Sequence, residues 1–161
     1  MLKLMNALVS LAFKILSRFP LIGKHFTEEF IRFLVIGTSA FLINFAVYHS
    51  TVFLLEELFD TENKVLRALM VGLPFLFAYF IAYIFNFTMS KKWTFKNTSP
   101  RTKVQATKFL LINTFNAISG SGFIALLDYF GIVPLISQPI FVATEAIWSY
   151  ILYKFWVFKE K

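Results

Sequence analysis

The segment NFTMSKKWTFK, Asn86–Lys96, ends a long apolar run with an amide, two lysines, a Trp-Thr-Phe triplet and a further lysine. A second segment, SYILYKFWVFK, Ser149–Lys159, ends the last apolar run in a similar way. Aligning the segments pairs Trp93 with Trp156, Phe95 with Phe158, Lys96 with Lys159, Lys91 with Lys154 and Asn86 with Ser149. Aromatic rings at headgroup depth and lysines that reach the phosphates are typical of a helix that leaves a bilayer. We therefore expect both segments to end membrane-spanning helices at the same membrane face.

The composition excludes a soluble globular domain. The chain has 161 residues, of which 58% are hydrophobic and 19% aromatic, and its apolar runs are long enough to span a membrane. A hydrocarbon core of about 30 Å requires roughly 20 helical residues for each crossing, which leaves room for four crossings and short connections. The chain has no cysteine and two widely separated histidines, so we expect neither a metal site nor a cofactor.

The apolar runs predict an all-α, polytopic membrane protein with four transmembrane helices. We expect the crossings at Phe33–Leu55, Leu66–Ser90, Phe109–Phe130 and Gln138–Phe158. Pro74 is expected to kink the second crossing, and Pro134 and Pro139 bracket the start of the fourth.

The residues before the first crossing predict an amphipathic helix over Met1–Phe19. At about 100° per residue, its polar side chains fall within an arc of about 80°. These side chains are Lys3, Asn6, Ser10, Lys14 and Ser17. Because Lys14 interrupts the apolar stretch, the segment differs from a secretory signal peptide, and we expect it to lie in the membrane interface. Pro20 and Gly23 are expected to end it.

The cationic residues predict the orientation. All but two of the 16 Lys and Arg residues lie before the first crossing, in the 91–108 connection or in the C-terminal stretch. By the positive-inside rule, both termini and the middle connection are cytoplasmic. Membrane orientation therefore explains the net charge of +7, and we expect no nucleic-acid partner.

The chain also contains an internal repeat. RFLVIG, Arg32–Gly37, matches KFLLIN, Lys108–Asn113, just as the two helix-end segments match each other. We therefore predict an N-terminal interfacial helix and linker over 1–26 and a four-helix domain over 27–161, built from one helical hairpin used twice. The repeats are expected at about 32–96 and about 108–159. Two hairpins of the same orientation imply a pseudo-two-fold axis along the membrane normal.

Polar residues inside the apolar runs are candidates for function. An ionisable group near the bilayer centre costs about 2.5–3.5 kcal/mol on insertion scales, so it usually faces a cavity or a partner. Glu145 is the acid that lies well inside a crossing, with Ser149 one turn away. Further polar residues of the cytoplasmic halves are Asn86, Asn113, Asn116 and Tyr153. If these faces converge, they form a polar pocket whose rim of Lys91, Lys92 and Lys154 suits a phosphate headgroup.

Structural interpretations of the same residues stay open. Lysine and tryptophan at a helix end also serve as ordinary membrane anchors. Buried amides such as Asn44 and Asn116 also join helices, typically for less than about 2 kcal/mol. The sequence holds no nucleophile–base pair, no paired carboxylates and no nucleotide-binding loop, so we do not expect an enzyme.

Four motifs together make the chain resemble the GtrA-like family of small four-helix membrane proteins. The resemblance covers about residues 30–159 and rests on RFLVIGTSAFLIN, NFTMSKKWTF, KFLLIN and WSYILYKFWVF. The family's helix-end motif resembles N-F-x-x-N-R-x-W-T/V-F, which Asn86, Phe87, Trp93, Thr94 and Phe95 match. Ser90 replaces the second asparagine, Lys91 replaces the arginine, and Asn44 stands where the family often has aspartate. Lysine keeps the charge of the arginine without its bidentate fork.

The resemblance implies that the chain moves a polyprenyl-phosphate-linked sugar, such as undecaprenyl phosphate-glucose, from the cytoplasmic to the outer leaflet of a prokaryotic inner membrane. The sugar is then added to a surface polysaccharide. This role agrees with the polar residues described above. We expect Lys91, Lys92, Lys154 and Asn86 to bind the phosphate, and we expect a sugar path lined by Asn44, Tyr83, Asn113, Asn116, Glu145, Trp148 and Ser149. The expected partners are this membrane lipid and a glycosyltransferase, with a homo-oligomer left open.

Two other functions stay open. The chain could be a non-transporting anchor that recruits a glycosyltransferase to the membrane. It could also be a proton-coupled exporter of small cations with Glu145 as the exchanging carboxylate, although the lysine rim argues against cations.

Overall fold

The computed structural model describes residues 2–16, 28–59, 63–132 and 134–159, and these ranges are mostly helical and contain no strand. The helices are α1 (Leu2–Leu16), α2 (Glu28–Leu58), α3 (Lys64–Met89), α4 (Thr102–Tyr129) and α5 (Pro134–Leu152). Helices α3 and α5 each continue into a π-helical turn, at Ser90–Thr94 and Tyr153–Val157. The all-α prediction is confirmed.

Four helical stretches of the described residues are long and apolar enough to cross a membrane. They are Glu28–Leu58, Gly72–Thr94, Thr102–Tyr129 and Ile136–Val157. The prediction of four crossings is confirmed, but the helices are longer than the apolar runs: α4 begins at Thr102 rather than Phe109. Hydropathy marks only the part of a helix that lies in hydrocarbon, whereas its polar first turns extend beyond it.

Large apolar side chains cover the outer faces of these helices. Phe53, Phe41 and Ile118 are 66%, 65% and 69% exposed, which would be unfavourable for a soluble monomer and is expected for a lipid-facing surface. The chain is a multi-pass membrane protein, and the cytoplasmic location of its termini stays a prediction.

The described chain forms two compact units, Met1–Thr94 and Phe95–Lys161. The first contains α1, the α2–α3 hairpin and the first π-helical turn. Its buried core cluster comprises Met5, Val9, Ile31, Ile36 and Trp93. Helix α1 lies within the predicted N-terminal segment, and its Met5 and Val9 belong to this core. Its interfacial position stays a prediction, and Pro20 and Gly23 lie outside the described residues.

The second unit contains the α4–α5 hairpin and the second π-helical turn. Helix α4 ends in a Schellman motif, in which Ile132 N–H bonds to the Leu127 carbonyl and Gly131 N–H to that of Asp128, both at 2.9 Å. Gly131 adopts φ +80°, which favours glycine at this position. Helix α5 begins at Pro134, a residue type preferred at the first helical position. Pro74 lies inside α3, and the kink expected there stays a prediction.

Candidate functional site

Lys108 of α4 contacts Trp156 in the π-helical turn that ends the second hairpin. The Lys108 Nζ lies 5.0 Å from the centroid of the Trp156 ring and donates a hydrogen bond of 3.2 Å to the Trp156 carbonyl oxygen. Carbonyl groups in the last turn of a helix lack intrahelical donors, and a cation there also complements the negative end of the helix dipole. The Lys108 ammonium group therefore satisfies a carbonyl oxygen at the helix end and also contacts the Trp156 ring.

The first hairpin contains the same arrangement at the positions that match in the sequence repeat. Arg32 Cζ lies 5.3 Å from the centroid of the Trp93 ring, and Nη1 donates a hydrogen bond of 3.2 Å to the Trp93 carbonyl oxygen. The two π-helical turns that carry these tryptophans also occupy matching positions. The geometry within each unit supports the repeat of one hairpin.

The two tryptophans differ in how far they are covered. Trp93 is 7% exposed because α1 packs over it, and its Nε1 donates a hydrogen bond of 2.8 Å to Asn6 Oδ1. Trp156 is 43% exposed. The shared cation–tryptophan pair is thus capped by a helix in the first unit and open in the second.

Asn116 is the centre of a polar network between α4 and α5. Its Nδ2 donates hydrogen bonds of 2.8 Å to Glu145 Oε1 and to Ser149 Oγ. Its Oδ1 accepts a hydrogen bond of 2.9 Å from Trp148 Nε1. Asn116 and Ser149 are buried, whereas Glu145 and Trp148 are half-buried. Four residues of the predicted sugar path therefore form one connected group.

Asn113 extends this polar face by one turn. Its Nδ2 donates a hydrogen bond of 3.0 Å to the Tyr153 hydroxyl and one of 2.7 Å to the Phe109 carbonyl oxygen. The rings of Phe109 and Tyr153 stack with their centroids 4.4 Å apart. Asn113 therefore bonds to the buried aromatic pair of Phe109 and Tyr153, and its hydrogen-bond partners differ from those of Asn116.

A close helix–helix approach lies next to the network. A Cβ added at Gly120 would be 2.6 Å from Cε1 of Phe141, so this position has no room for a side chain unless the ring moves. The Phe141 ring is flanked by Phe123, at 5.6 Å between centroids, and by Trp148, at 5.9 Å. The small residue at Gly120 lets α4 and α5 approach each other where the Asn116 bonds form.

The network leaves one acceptor for an external group. No hydrogen bond from the described part of the chain reaches Glu145 Oε2, while Oε1 accepts from Asn116. The half-buried Trp148 ring stands beside it. An available carboxylate oxygen next to an aromatic surface fits a hydroxyl-rich group such as a sugar.

The remaining predicted site residues are distributed over both units. In the first unit, Lys91 is 9% exposed and Lys92 is exposed. Asn86 Oδ1 accepts a hydrogen bond of 3.2 Å from Ser90 Oγ, and the Tyr83 ring stacks on that of Phe87. Asn44 is half-buried. In the second unit, Lys154 Nζ contacts the Tyr150 hydroxyl at 3.2 Å. Their convergence into one pocket, and their contact with phosphate or sugar, stay predictions.

A comparison with family models gave a match over most of the chain. Residues 32–158 match the model described as the GtrA/DPMS transmembrane domain. The chain belongs to this family. The match begins at Arg32 and ends at Phe158, so it covers both hairpins and leaves α1 outside. Comparisons with curated proteins and with solved structures gave no match.

This GtrA/DPMS domain has a cleft in its second unit that the sequence did not indicate. Its volume is about 630 Å³, and its lining includes Arg101, Gln105, Lys108, Phe155, Trp156 and Lys159. Gln105 Nε2 donates a hydrogen bond of 2.9 Å to Asn97 Oδ1, whereas its Oε1 is buried with no partner among the described residues. The sequence repeat could have indicated part of this site. Lys108 and Trp156, which line the cleft, match Arg32 and Trp93 at the start and the end of the other copy of the repeat.

Proposed function

We propose that this GtrA/DPMS domain moves a polyprenyl-phosphate-linked monosaccharide from the cytoplasmic to the outer leaflet of a prokaryotic inner membrane, for glycosylation of a cell-surface polysaccharide. The observation that carries the proposal is the Asn116–Glu145 pair between two membrane-spanning helices, with Glu145 Oε2 available to a ligand. Family membership supports a membrane protein related to this kind of transport.

The energetics of Glu145 support a functional role. A carboxylate inside a span costs about 2.5–3.5 kcal/mol on insertion scales, and one hydrogen bond from Asn116 offsets only part of this. The hairpin could be joined by Asn116, Ser149 and Trp148 alone, as buried amides and hydroxyls commonly do. In the proposal, Glu145 accepts hydrogen bonds from sugar hydroxyls, and the Trp148 ring provides a stacking surface.

The phosphate is assigned to the cationic helix ends. In the proposal, Lys91, Lys92 and Lys154 attract it and Asn86 orients it, with Lys92 contributing most in the first unit because Lys91 is 9% exposed. Each cation near an anionic headgroup contributes roughly 1 kcal/mol. The polyprenyl tail remains in the lipid along the apolar outer faces. The proposal includes no catalytic step, and a glycosyltransferase receives the product.

The test is leaflet crossing of a short-chain polyprenyl-phosphate hexose in vesicles that contain the purified protein. Glu145→Gln keeps an acceptor for Asn116 but removes the charge, and we expect it to slow crossing roughly ten-fold, as the loss of one charge-assisted hydrogen bond implies. The double variant Lys92→Ala/Lys154→Ala, which removes the exposed lysine of the first unit together with the half-buried Lys154 of the second, should also slow it. Crossing no faster than in protein-free vesicles, or equal rates for all variants, would contradict the proposal.

The side-chain hydrogen bonds of Asn116, which are already made within the hairpin, favour a second candidate function. Both of its Nδ2 bonds and its Oδ1 bond go to α5, as expected for a purely structural contact. The second candidate is therefore a membrane anchor for a glycosyltransferase. It predicts that the partner enzyme co-purifies equally with the wild type, Asn86→Ala and Glu145→Gln, and that the protein alone gives no leaflet crossing.

A further inference from the structure

The cleft of the second unit borders the same cation–tryptophan pair that α1 covers in the first unit. At the first cation–tryptophan pair, Asn6 of α1 accepts the Trp93 Nε1 hydrogen bond, and Met5 and Val9 join the core around that ring. At the matching pair, Trp156 and Lys108 line an open cleft of about 630 Å³. The pair is thus covered by α1 in the first unit and faces an open cleft in the second.

The chemistry of the cleft is cationic on one side and apolar on the other. Arg101, Lys108 and Lys159 supply three cations, and the described residues that line it include no acid. Phe155, which is 63% exposed, and the Trp156 ring supply an apolar wall.

We propose that this cleft binds the phosphate headgroup of an anionic membrane lipid. Phosphate oxygens match the three cations, and the apolar wall at the end of two candidate membrane spans matches the start of an acyl chain. Helix α1 of a second copy fits less well, because Leu2–Leu16 carries Lys3 and Lys14 and no acid, so it would bring like charge to the cleft. Binding here requires neither a sugar nor transport.

The experiment is native mass spectrometry of the full chain in detergent, titrated with short-chain phosphatidic acid and, in parallel, with phosphatidylcholine of the same chain length. We expect phosphatidic acid to bind more tightly. Arg101→Gln and Lys159→Gln should each weaken its binding roughly five-fold, the loss expected for one cation beside an anionic headgroup. The side chain of Arg101 makes no capping bond to α4, so the helix should persist, as circular dichroism would show.

Lys103→Gln is the matched control. Lys103 is an exposed lysine in the first turn of α4 that does not line the cleft, and its loss should change binding less than two-fold. An equal effect of Lys103→Gln and Arg101→Gln would overturn the proposal, as would equal binding of the two lipids. Displacement of the lipid by an equal concentration of inorganic phosphate would assign the cleft to free phosphate instead. A dimer that carries no phosphatidic acid would assign it to α1 of a second copy and also overturn the proposal.

The result is separable from the proposed function. If phosphatidic acid binds as expected while leaflet crossing fails, the cleft is a lipid site on a protein that does not translocate. If crossing succeeds while the Arg101 and Lys159 variants bind phosphatidic acid like the wild type, only the cleft proposal falls.

Discussion

Nδ2 of Asn116 donates a hydrogen bond of 2.8 Å to Oε1 of Glu145, which joins α4 to α5 inside two membrane-spanning stretches. The corresponding positions of the first hairpin hold Ala40 and Ala82, both buried. The repeat therefore uses small side chains at this level in one copy and a polar network in the other. At this level of the repeat, the polar side chains therefore lie in the second hairpin.

Replacing Asn116 by alanine should destabilise the protein by about 2 kcal/mol, because three interhelical hydrogen bonds at roughly 0.6 kcal/mol each are lost. The free energy of unfolding in mixed detergent micelles measures this. Asn44→Ala is the control, since the Asn44 side chain makes no hydrogen bond within the described part of the chain, and it should change stability by less than about 0.5 kcal/mol. Equal losses for both variants would contradict the network.

Replacing Gly120 by alanine should cost about 1–3 kcal/mol, because the new Cβ would overlap Cε1 of Phe141 at 2.6 Å and the ring is held by its aromatic neighbours. Gly122→Ala is the matched control on the same helix, since its added Cβ meets nothing within 4 Å. Thermal unfolding in detergent compares the two. Adding Phe141→Leu to Gly120→Ala should recover part of the loss, and strict additivity would show that the contact is not limiting.

Removing the hydrogen bond between Trp93 and Asn6 should loosen α1 from the first hairpin. Trp93→Phe and Asn6→Ala should each increase amide hydrogen exchange over Leu2–Leu16, and the double variant should add little to either. Trp156→Phe is the control, because the first unit keeps its own tryptophan. Unchanged exchange in the two single variants would mean that the apolar contacts of Met5 and Val9 alone hold α1.

The cation–tryptophan pair of the first unit should be the stronger one, because Trp93 is buried whereas Trp156 is 43% exposed. A double-mutant cycle that combines Lys108→Met with Trp156→Leu should give a ring-specific coupling of about 0.5–1 kcal/mol in the free energy of unfolding, and one that combines Arg32→Met with Trp93→Leu should give up to about 2 kcal/mol. The hydrogen bond to the main-chain carbonyl is common to both arms of each cycle and cancels. Coupling near zero in both cycles would reduce the pairs to ordinary interfacial anchors.

The fold was predictable because hydrophobic length and charge act locally along the chain. Four apolar runs of spanning length and a repeated Lys-rich, Trp-containing end led to the four crossings and to their pairing in two hairpins. The exact ends were not predictable, because α4 continues to Thr102 through residues that are polar but still helical. The two π-helical turns were also missed, since a single inserted residue per turn leaves no hydropathy signal.

The candidate site was predictable only in its residue types. Asn116, Glu145, Trp148 and Ser149 could be selected because polar groups are rare inside spans, but their hydrogen-bond partners depend on the register between α4 and α5. The cover that α1 places on Trp93 depends on a contact across most of the first unit, which periodicity does not show. The cleft could not be predicted for the same reason, because its lining residues come from the start of α4 and from the C-terminal stretch, which are far apart in the sequence.

The most direct measurement is the binding ratio of a short-chain polyprenyl-phosphate hexose to the same lipid phosphate without sugar, obtained by native mass spectrometry of the purified protein. If the second hairpin reads the sugar, the wild type should prefer the glycosylated lipid about ten-fold, and Glu145→Gln should lower that preference several-fold without changing binding of the bare phosphate. Equal affinities of the wild type for both lipids, or a preference that Glu145→Gln leaves intact, would contradict the account.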